Sequence, residues 1–113
     1  MELILIPEDY WVGHINEVKE TIKRSVQSFI NHHKKVKVGI TNNPQRRKDR
    51  HKYDPIGWDI MHVRYHTTSL RYVRELEKII VDHHWDYLEN RIGGGGGNFG
   101  EGPYYLYILI KRH

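Results

Sequence analysis

The chain has 113 residues, of which 38% are hydrophobic and 28% charged, and its formal net charge is +4. This size and composition predict one globular domain with a single modest core. The absence of cysteine excludes disulfides and thiolate metal sites, and no apolar run approaches the ~20 residues of a transmembrane helix. We therefore expect no membrane association, with an intracellular location as the default.

The N-terminal third predicts a helical region. Leu3–Ile6 is consistent with either a short strand or an apolar anchor, because Pro7 and the acids after it end the pattern. Ile15–His33 predicts an amphipathic helix, since apolar side chains recur about every 3.6 residues and charged ones occupy the other side. We interpret residues 1–33 as an N-terminal helical region and 34–111 as the motif-bearing core of one domain, 1–113.

The next segment predicts a strand followed by a short basic helix. Val36–Ile40 alternates like a strand, and Asn43 and Pro44 suit the N-cap and the first position of a helix. On that helix Arg47 and His51 are four residues apart and therefore share one face. A turn that brings a guanidinium and an imidazole together suits phosphate chemistry.

Positive charge is concentrated in the same segment. Eight Lys or Arg residues and one acid lie between positions 34 and 52, whereas the rest of the chain has ten bases and thirteen acids. A local basic patch attracts polyanions such as nucleic acid, because binding releases their counterions. A solvated surface helix explains the same charges, so charge alone leaves both interpretations open.

A second strand and a long helix are predicted next. Trp58–Tyr65 is rich in β-forming residues, and Leu70–Leu88 has helical apolar periodicity behind the capping residues Thr67–Ser69. At about 100° per residue, Glu77 falls on the apolar side of this helix and Glu75 on the solvated side. A carboxylate on the inward side is costly unless it is paired, hydrogen-bonded or bound to a metal. Glu77 is therefore either half of a structural salt bridge or a functional group.

The C-terminal part combines a glycine run with an apolar strand. Gly93–Gly97 predicts a flexible connector or a surface of close approach, and it lacks the Gly-Lys-Ser/Thr that would follow in a nucleotide-binding loop. Tyr104–Ile110 is the strongest strand signal in the sequence. Both of its faces are apolar or aromatic, which predicts a central strand covered on both sides.

Together these motifs resemble the signature of the GIY-YIG nucleases. In KVGIT, Gly39 is followed after eight residues by Arg47 and after four more by His51, as in the second half of that signature. Glu77 follows a leucine and precedes an apolar pair, a setting similar to that of the family's metal-binding glutamate, and Asn90 corresponds to the family's asparagine. The resemblance implies an α+β fold, a small and mostly antiparallel three-stranded sheet flanked by helices.

The sequence departs from the signature in two ways. The strand with the GIY tyrosine should precede Val36, but the match lies in Tyr104–Ile110, where Tyr107 takes the place of that tyrosine. We interpret this order as a circular permutation, which predicts antiparallel pairing of Tyr104–Ile110 with Val36–Ile40 and a glycine run that supplies slack. In addition, Lys37 replaces the YIG tyrosine, so one of two active-site tyrosines is missing.

The resemblance implies a metal-dependent endonuclease that hydrolyses DNA phosphodiester bonds with a single metal ion. Glu77 would hold Mg²⁺ or Mn²⁺, and Arg47 would brace the scissile phosphate. His51 or Tyr107 would position or deprotonate the attacking water, and Lys37 would stand in for the missing tyrosine. Further contacts to nucleic acid are expected from Lys34, Lys35, Arg46, Lys48, Arg50, Lys52 and Asn90.

Two other functions stay open. The Lys37 replacement favours a GIY-YIG-like module that binds nucleic acid without cutting it. A histidine-based metal protein would draw on the nine histidines, although adjacent histidines on a helix point about 100° apart and seldom share an ion. A homodimer is one route to double-strand cuts, and the sequence identifies no interface for it.

Overall fold

The computed structural model describes residues 2–90 and 100–112. These residues form an α+β fold with three α-helices and a four-stranded mixed sheet. The predicted glycine connector, Gly93–Gly97, lies outside the described residues. In chain order the elements are β1 (Ile4–Ile6), α1 (Ile15–His32), β2 (Lys35–Thr41), α2 (Pro44–His51), β3 (Ile60–Thr67), α3 (Leu70–His83), a 3₁₀ turn (Trp85–Tyr87) and β4 (Tyr104–Lys111). None of the helices in the described ranges is long and apolar enough to span a bilayer.

The strands are arranged in the order β1-β3-β4-β2. The predicted antiparallel pairing of the C-terminal strand with Val36–Ile40 is confirmed, because Val36 lies opposite Ile110 and Ile40 opposite Leu106. β4 also pairs antiparallel with β3 and is therefore a central strand, as its two apolar faces predicted. The predicted number of three strands was too low within the described residues, since β1 adds a fourth strand parallel to β3. Burial of Leu3, which is 2% exposed, accompanies this pairing.

Two predicted elements differ from the structure by two residues or more. The helix that begins at Leu70 ends at His83 instead of Leu88, because His84 turns away as a buried cap and Tyr87 is 67% exposed. β3 begins two residues later than predicted, since Trp58 packs beneath the sheet and donates its indole N–H to Asp54 Oδ2 at 3.2 Å. In both cases tertiary contacts overrule the local pattern.

The sheet separates two hydrophobic cores. Val36, Val38 and Ile40 of β2 belong to the larger core, which α1 and α3 cover. Lys37 and Gly39 alternate with them and therefore point to the opposite side, which we call the α2 face. A smaller core lies on the α2 face and consists of Leu3, Trp58, Met61, Tyr107 and Leu109. The candidate catalytic residues of β2, α2 and β4 consequently share the α2 face.

Candidate active site

A cross-strand pair places the candidate tyrosine. Tyr107 of β4 lies directly opposite Gly39 of β2, and its side chain is 3% exposed. Any side chain at position 39 would overlap the ring and hydroxyl of Tyr107, because the ring lies across the glycine. Glycine at this position thus provides the space for the tyrosine. The ring crosses toward the edge strand β2, and its hydroxyl lies beside the C-terminal end of α2.

The turn into α2 has the predicted capping geometry. The Arg46 backbone N–H donates to Asn43 Oδ1 at 3.0 Å, and Pro44 is the first helical residue. The cap is anchored to the sheet, since the backbone N–H of Asn43 donates to Thr41 Oγ1 at 3.0 Å. The direction of α2 is therefore set at the end of β2, and the helix passes over the α2 face.

His51 at the end of α2 meets the tyrosine. Its Nε2 lies 2.8 Å from the Tyr107 hydroxyl oxygen, and the two rings are 5.5 Å apart at 62°. The pKa of His51 is lowered from 6.5 to about 4, mainly by burial and also by the charges of Lys37 and Arg47. Asp54 acts in the opposite direction. His51 is therefore a neutral imidazole near pH 7, with a ring nitrogen able to accept a proton.

Glu77 is a half-buried carboxylate on α3. Burial raises its pKa from 4.5 to about 7, and the nearby charge of Arg74 offsets only part of this effect. Within residues 2–90 and 100–112, its carboxylate makes no hydrogen bond or salt bridge, in contrast to Glu75, which accepts from Arg71 at 3.0 Å. The predicted distinction between the two glutamates is confirmed. The described structure thus lacks the salt bridge that would have explained Glu77 as purely structural.

Two further candidate residues, Arg47 and Glu77, affect the pKa of Tyr107 through their charges. Burial raises the pKa of Tyr107, the guanidinium of Arg47 lowers it, and the carboxylate of Glu77 raises it further. Arg47 and Glu77 are therefore within electrostatic reach of the Tyr107 hydroxyl, and Lys37 is within reach of His51. The direct contact in this group is the one between His51 and Tyr107.

Asp54 is a charged neighbour of the site that was not predicted from the sequence. Burial raises its pKa, but hydrogen bonds from the Ile56 backbone N–H (3.0 Å) and the Trp58 indole lower it more, so the net shift is downward. The ionised carboxylate favours the imidazolium form of His51. In the sequence its signal is an Asp-Pro pair three residues after His51.

Asn90 contacts the protein's own backbone. Its Oδ1 accepts from Val38 N at 3.0 Å and its Nδ2 donates to Val38 O at 2.6 Å, while Glu89 N donates to Val36 O at 2.8 Å. These bonds satisfy part of the open edge of β2. We therefore assign Asn90 a structural role in place of the predicted contact with nucleic acid, because its amide is already engaged.

The predicted basic residues fall into two groups. One group lies on or next to α2, on the side of the site, and the other lies at the far end of β2. Lys48 and Lys35 are half-buried and the remaining four are exposed. The first group is Arg46, Lys48, Arg50 and Lys52, and the second is Lys34 and Lys35. Lys52 lies 4.0 Å from Asp49, a weak exposed pair, so this surface keeps its positive charge.

Few side chains in the candidate site could ligate a metal ion. Within the described ranges, no three side chains of His, Asp or Glu lie close enough to hold an ion between them. A half-buried carboxylate without a protein partner nevertheless fits Mg²⁺, which commonly uses one or two carboxylates and completes its shell with water and phosphate. Glu77 is the residue that would hold it.

Comparison of the chain with protein-family models, curated proteins and solved structures finds no match. The interpretation of the site therefore depends on the geometry of this chain and on the motifs that resemble the GIY-YIG signature.

Proposed function

We propose that the protein is a metal-dependent endonuclease that hydrolyses DNA phosphodiester bonds at the site formed by β2, α2, α3 and β4. One observation carries the proposal. A neutral His51 is hydrogen-bonded to the buried Tyr107 hydroxyl, whose pKa responds to the charges of the Arg47 guanidinium and the half-buried Glu77 carboxylate. These are the four groups that phosphodiester hydrolysis needs: a base, a donor that positions water, a phosphate ligand and a cation ligand.

Arg47 and Lys37 would bind the scissile phosphate. Arg47 presents paired N–H donors that match phosphate oxygens, and both cations offset the charge that develops in the transition state. A bound phosphate would also neutralise the charges of Lys37 and Arg47, two of those that lower the pKa of His51. Binding of the substrate would thus raise the basicity of His51 at the moment when a base is required.

Proton transfer would pass through the tyrosine. When His51 Nε2 is unprotonated, the Tyr107 hydroxyl donates to it across the 2.8 Å contact. As water attacks phosphorus, its proton moves to the Tyr107 oxygen while the hydroxyl proton moves to His51 Nε2. The P–O bond to the leaving sugar oxygen breaks, and that oxygen takes up a proton from solvent. This sequence keeps the tyrosine neutral, consistent with its raised pKa, and the imidazolium then releases the proton to solvent. His51 is the base in this scheme, and Tyr107 positions the water.

Glu77 would hold a single Mg²⁺ or Mn²⁺ at this site. When bound, the ion supplies positive charge next to the reacting phosphate. The nearby cation would also favour the ionised carboxylate, whose pKa is otherwise about 7. Among the described residues no three His, Asp or Glu side chains form a common ligand set, which argues against a two-metal site.

A second function is favoured by Lys37, which occupies the place of the YIG tyrosine. A domain with this change and a basic α2 would bind nucleic acid through its phosphates and leave it intact.

A plasmid-nicking assay with Mg²⁺ separates the two functions. We expect the wild-type protein to nick the plasmid, Glu77→Ala and His51→Ala to lose nicking, and the surface control Glu75→Ala to retain it. Binding of the same plasmid is measured in parallel with EDTA present. If wild-type protein binds DNA without cutting it at any Mg²⁺ or Mn²⁺ concentration, the endonuclease proposal is rejected in favour of the binding module.

A further inference from the structure

Three aromatic rings are in contact on the α2 face, beyond the proposed catalytic residues. The ring centroids of Tyr10 and His66 are 5.3 Å apart, those of His66 and Tyr105 4.9 Å, and those of Tyr10 and Tyr105 6.5 Å. We call these three residues the aromatic platform. Within the described residues, none of the three belongs to either hydrophobic core, so packing of the fold does not explain why the rings are assembled.

The platform is next to the proposed site. Tyr105 precedes Tyr107 by two residues on β4 and therefore points to the same face, about 7 Å along the strand. Tyr105 lies opposite Thr41 and His66, at the end of the sheet where β2 leads into α2. There the Arg46 guanidinium donates to Asn42 Oδ1 at 2.9 Å, and Asn42 directly follows Thr41, so a cation is held at this end of the sheet.

Backbone contacts hold the platform in place. Trp11 N donates to Arg64 O at 2.9 Å and His66 N donates to Trp11 O at 3.0 Å, so the segment that carries Tyr10 pairs with β3. Arg64 also donates to the Asp9 carboxylate at 2.8 Å. Tyr10 is thus fixed on both sides although 38% of its surface is exposed. A ligand that stacks on it pays little ordering entropy.

Exposed, fixed aromatic rings beside a basic surface form the binding sites of single-stranded nucleic acid. Bases stack on the rings and the cations follow the phosphates, whereas duplex DNA keeps its bases inside the helix. We propose that the aromatic platform binds an unpaired base adjacent to the scissile phosphate, so that the substrate is single-stranded or locally unpaired DNA. This inference rests on the proposed function for its link to cleavage, but the binding itself does not require catalysis.

The test compares strands of equal charge with and without bases. Binding of fluorescently labelled oligothymidine and of an abasic strand of equal length is measured by anisotropy with EDTA present. Wild-type protein is expected to prefer oligothymidine by about tenfold, since stacking contributes ~1–3 kcal/mol per base. Tyr105→Leu and Tyr10→Leu should reduce this preference to near unity, and Tyr105→Phe should retain it. Tyr87→Leu, which removes a tyrosine 67% exposed on the 3₁₀ turn, is the matched control.

The outcomes separate this inference from the proposed function. If wild-type protein binds oligothymidine and the abasic strand equally, the inference is overturned even if the plasmid is nicked. It is also overturned if a folded Tyr10→Leu protein keeps the wild-type preference for oligothymidine. Tyr10 lies outside the strands, so this second variant answers the question if Tyr105→Leu fails to fold. A base preference that depends on Tyr10 and Tyr105 would support the platform even if nicking is absent and the endonuclease proposal fails.

Discussion

The half-buried carboxylate of Glu77 should make the folded protein less stable at alkaline pH. Burial raises the pKa of Glu77 from 4.5 to about 7, so stability contributed by the protonated form is present below pH 4.5 and is lost as pH rises through 7. Each pH unit of that difference corresponds to about 1.4 kcal/mol, which sets an upper limit of about 3 kcal/mol. Partial exposure of Glu77 reduces the expected effect to about 1–2 kcal/mol.

Glu77→Gln should therefore raise the free energy of unfolding by about 1–2 kcal/mol at about pH 8.5 and leave it nearly unchanged at about pH 5. Urea denaturation in EDTA at both values measures this difference. Glu75→Gln is the control, because it removes an exposed pair with Arg71 and should cost no more than about 0.5 kcal/mol at either pH. The stabilising variant should at the same time lose nicking activity, a trade-off typical of functional carboxylates.

A metal titration completes the experiment. Mg²⁺ should raise the melting temperature of the wild-type protein at about pH 8.5, since it binds the folded state through Glu77, and should have little effect on Glu77→Gln. The reasoning would be refuted if Glu77→Gln were destabilised equally at both pH values. That result would mean that the carboxylate supports the fold through a contact and carries no buried, unpaired charge.

Three further predictions follow from the same geometry. Gly39→Ala should lower the free energy of unfolding by about 2 kcal/mol, because its Cβ would overlap Tyr107. Urea denaturation should show a much smaller loss when the same substitution is made in a Tyr107→Ala background. Equal losses in the two backgrounds would contradict the assigned contact. Asn90→Ala should cost about 1–3 kcal/mol and accelerate hydrogen exchange at the Val38 amide, with unchanged exchange arguing against the edge contact. Because burial lowers the pKa of His51 to about 4, the protein should lose stability as pH falls from 6.5 toward 4. In His51→Gln, the free energy of unfolding from urea denaturation should change less with pH over this range. An unaltered slope would show that another group titrates there.

The features that could be predicted from sequence are those for which local sequence preferences, such as helix capping and periodicity, match the tertiary structure. Asn43 and Pro44 form the predicted cap because capping involves only a few neighbouring residues. Glu77 could be separated from Glu75 because both lie in one regular helix, where position decides burial. The pairing of β2 with β4 is nonlocal and followed from the motif resemblance, which aligned two segments that periodicity alone could not connect.

The features that could not be predicted depend on contacts distant in sequence. β1 has only three residues, and its pairing with β3 depends on a free edge that appears only when the sheet is assembled. Asn90 was expected at a nucleic-acid surface, but an asparagine amide matches a backbone N–H and C=O pair equally well, and the open edge of β2 provides one. The charge of Asp54 matters to His51 only because the turn after α2 folds back beside it.

The central position of β4 has a consequence for biosynthesis. β2 and β3 are not neighbours in the sheet, because β4 (residues 104–111) lies between them and pairs with both. A nascent chain on the ribosome therefore carries its basic helix α2 long before the strand that supplies Tyr107 has been made. Contacts across such a sequence separation also slow folding, because a long loop must close first. The proposed cleavage site should thus assemble only after synthesis of β4, because before that point His51 lacks its contact with Tyr107.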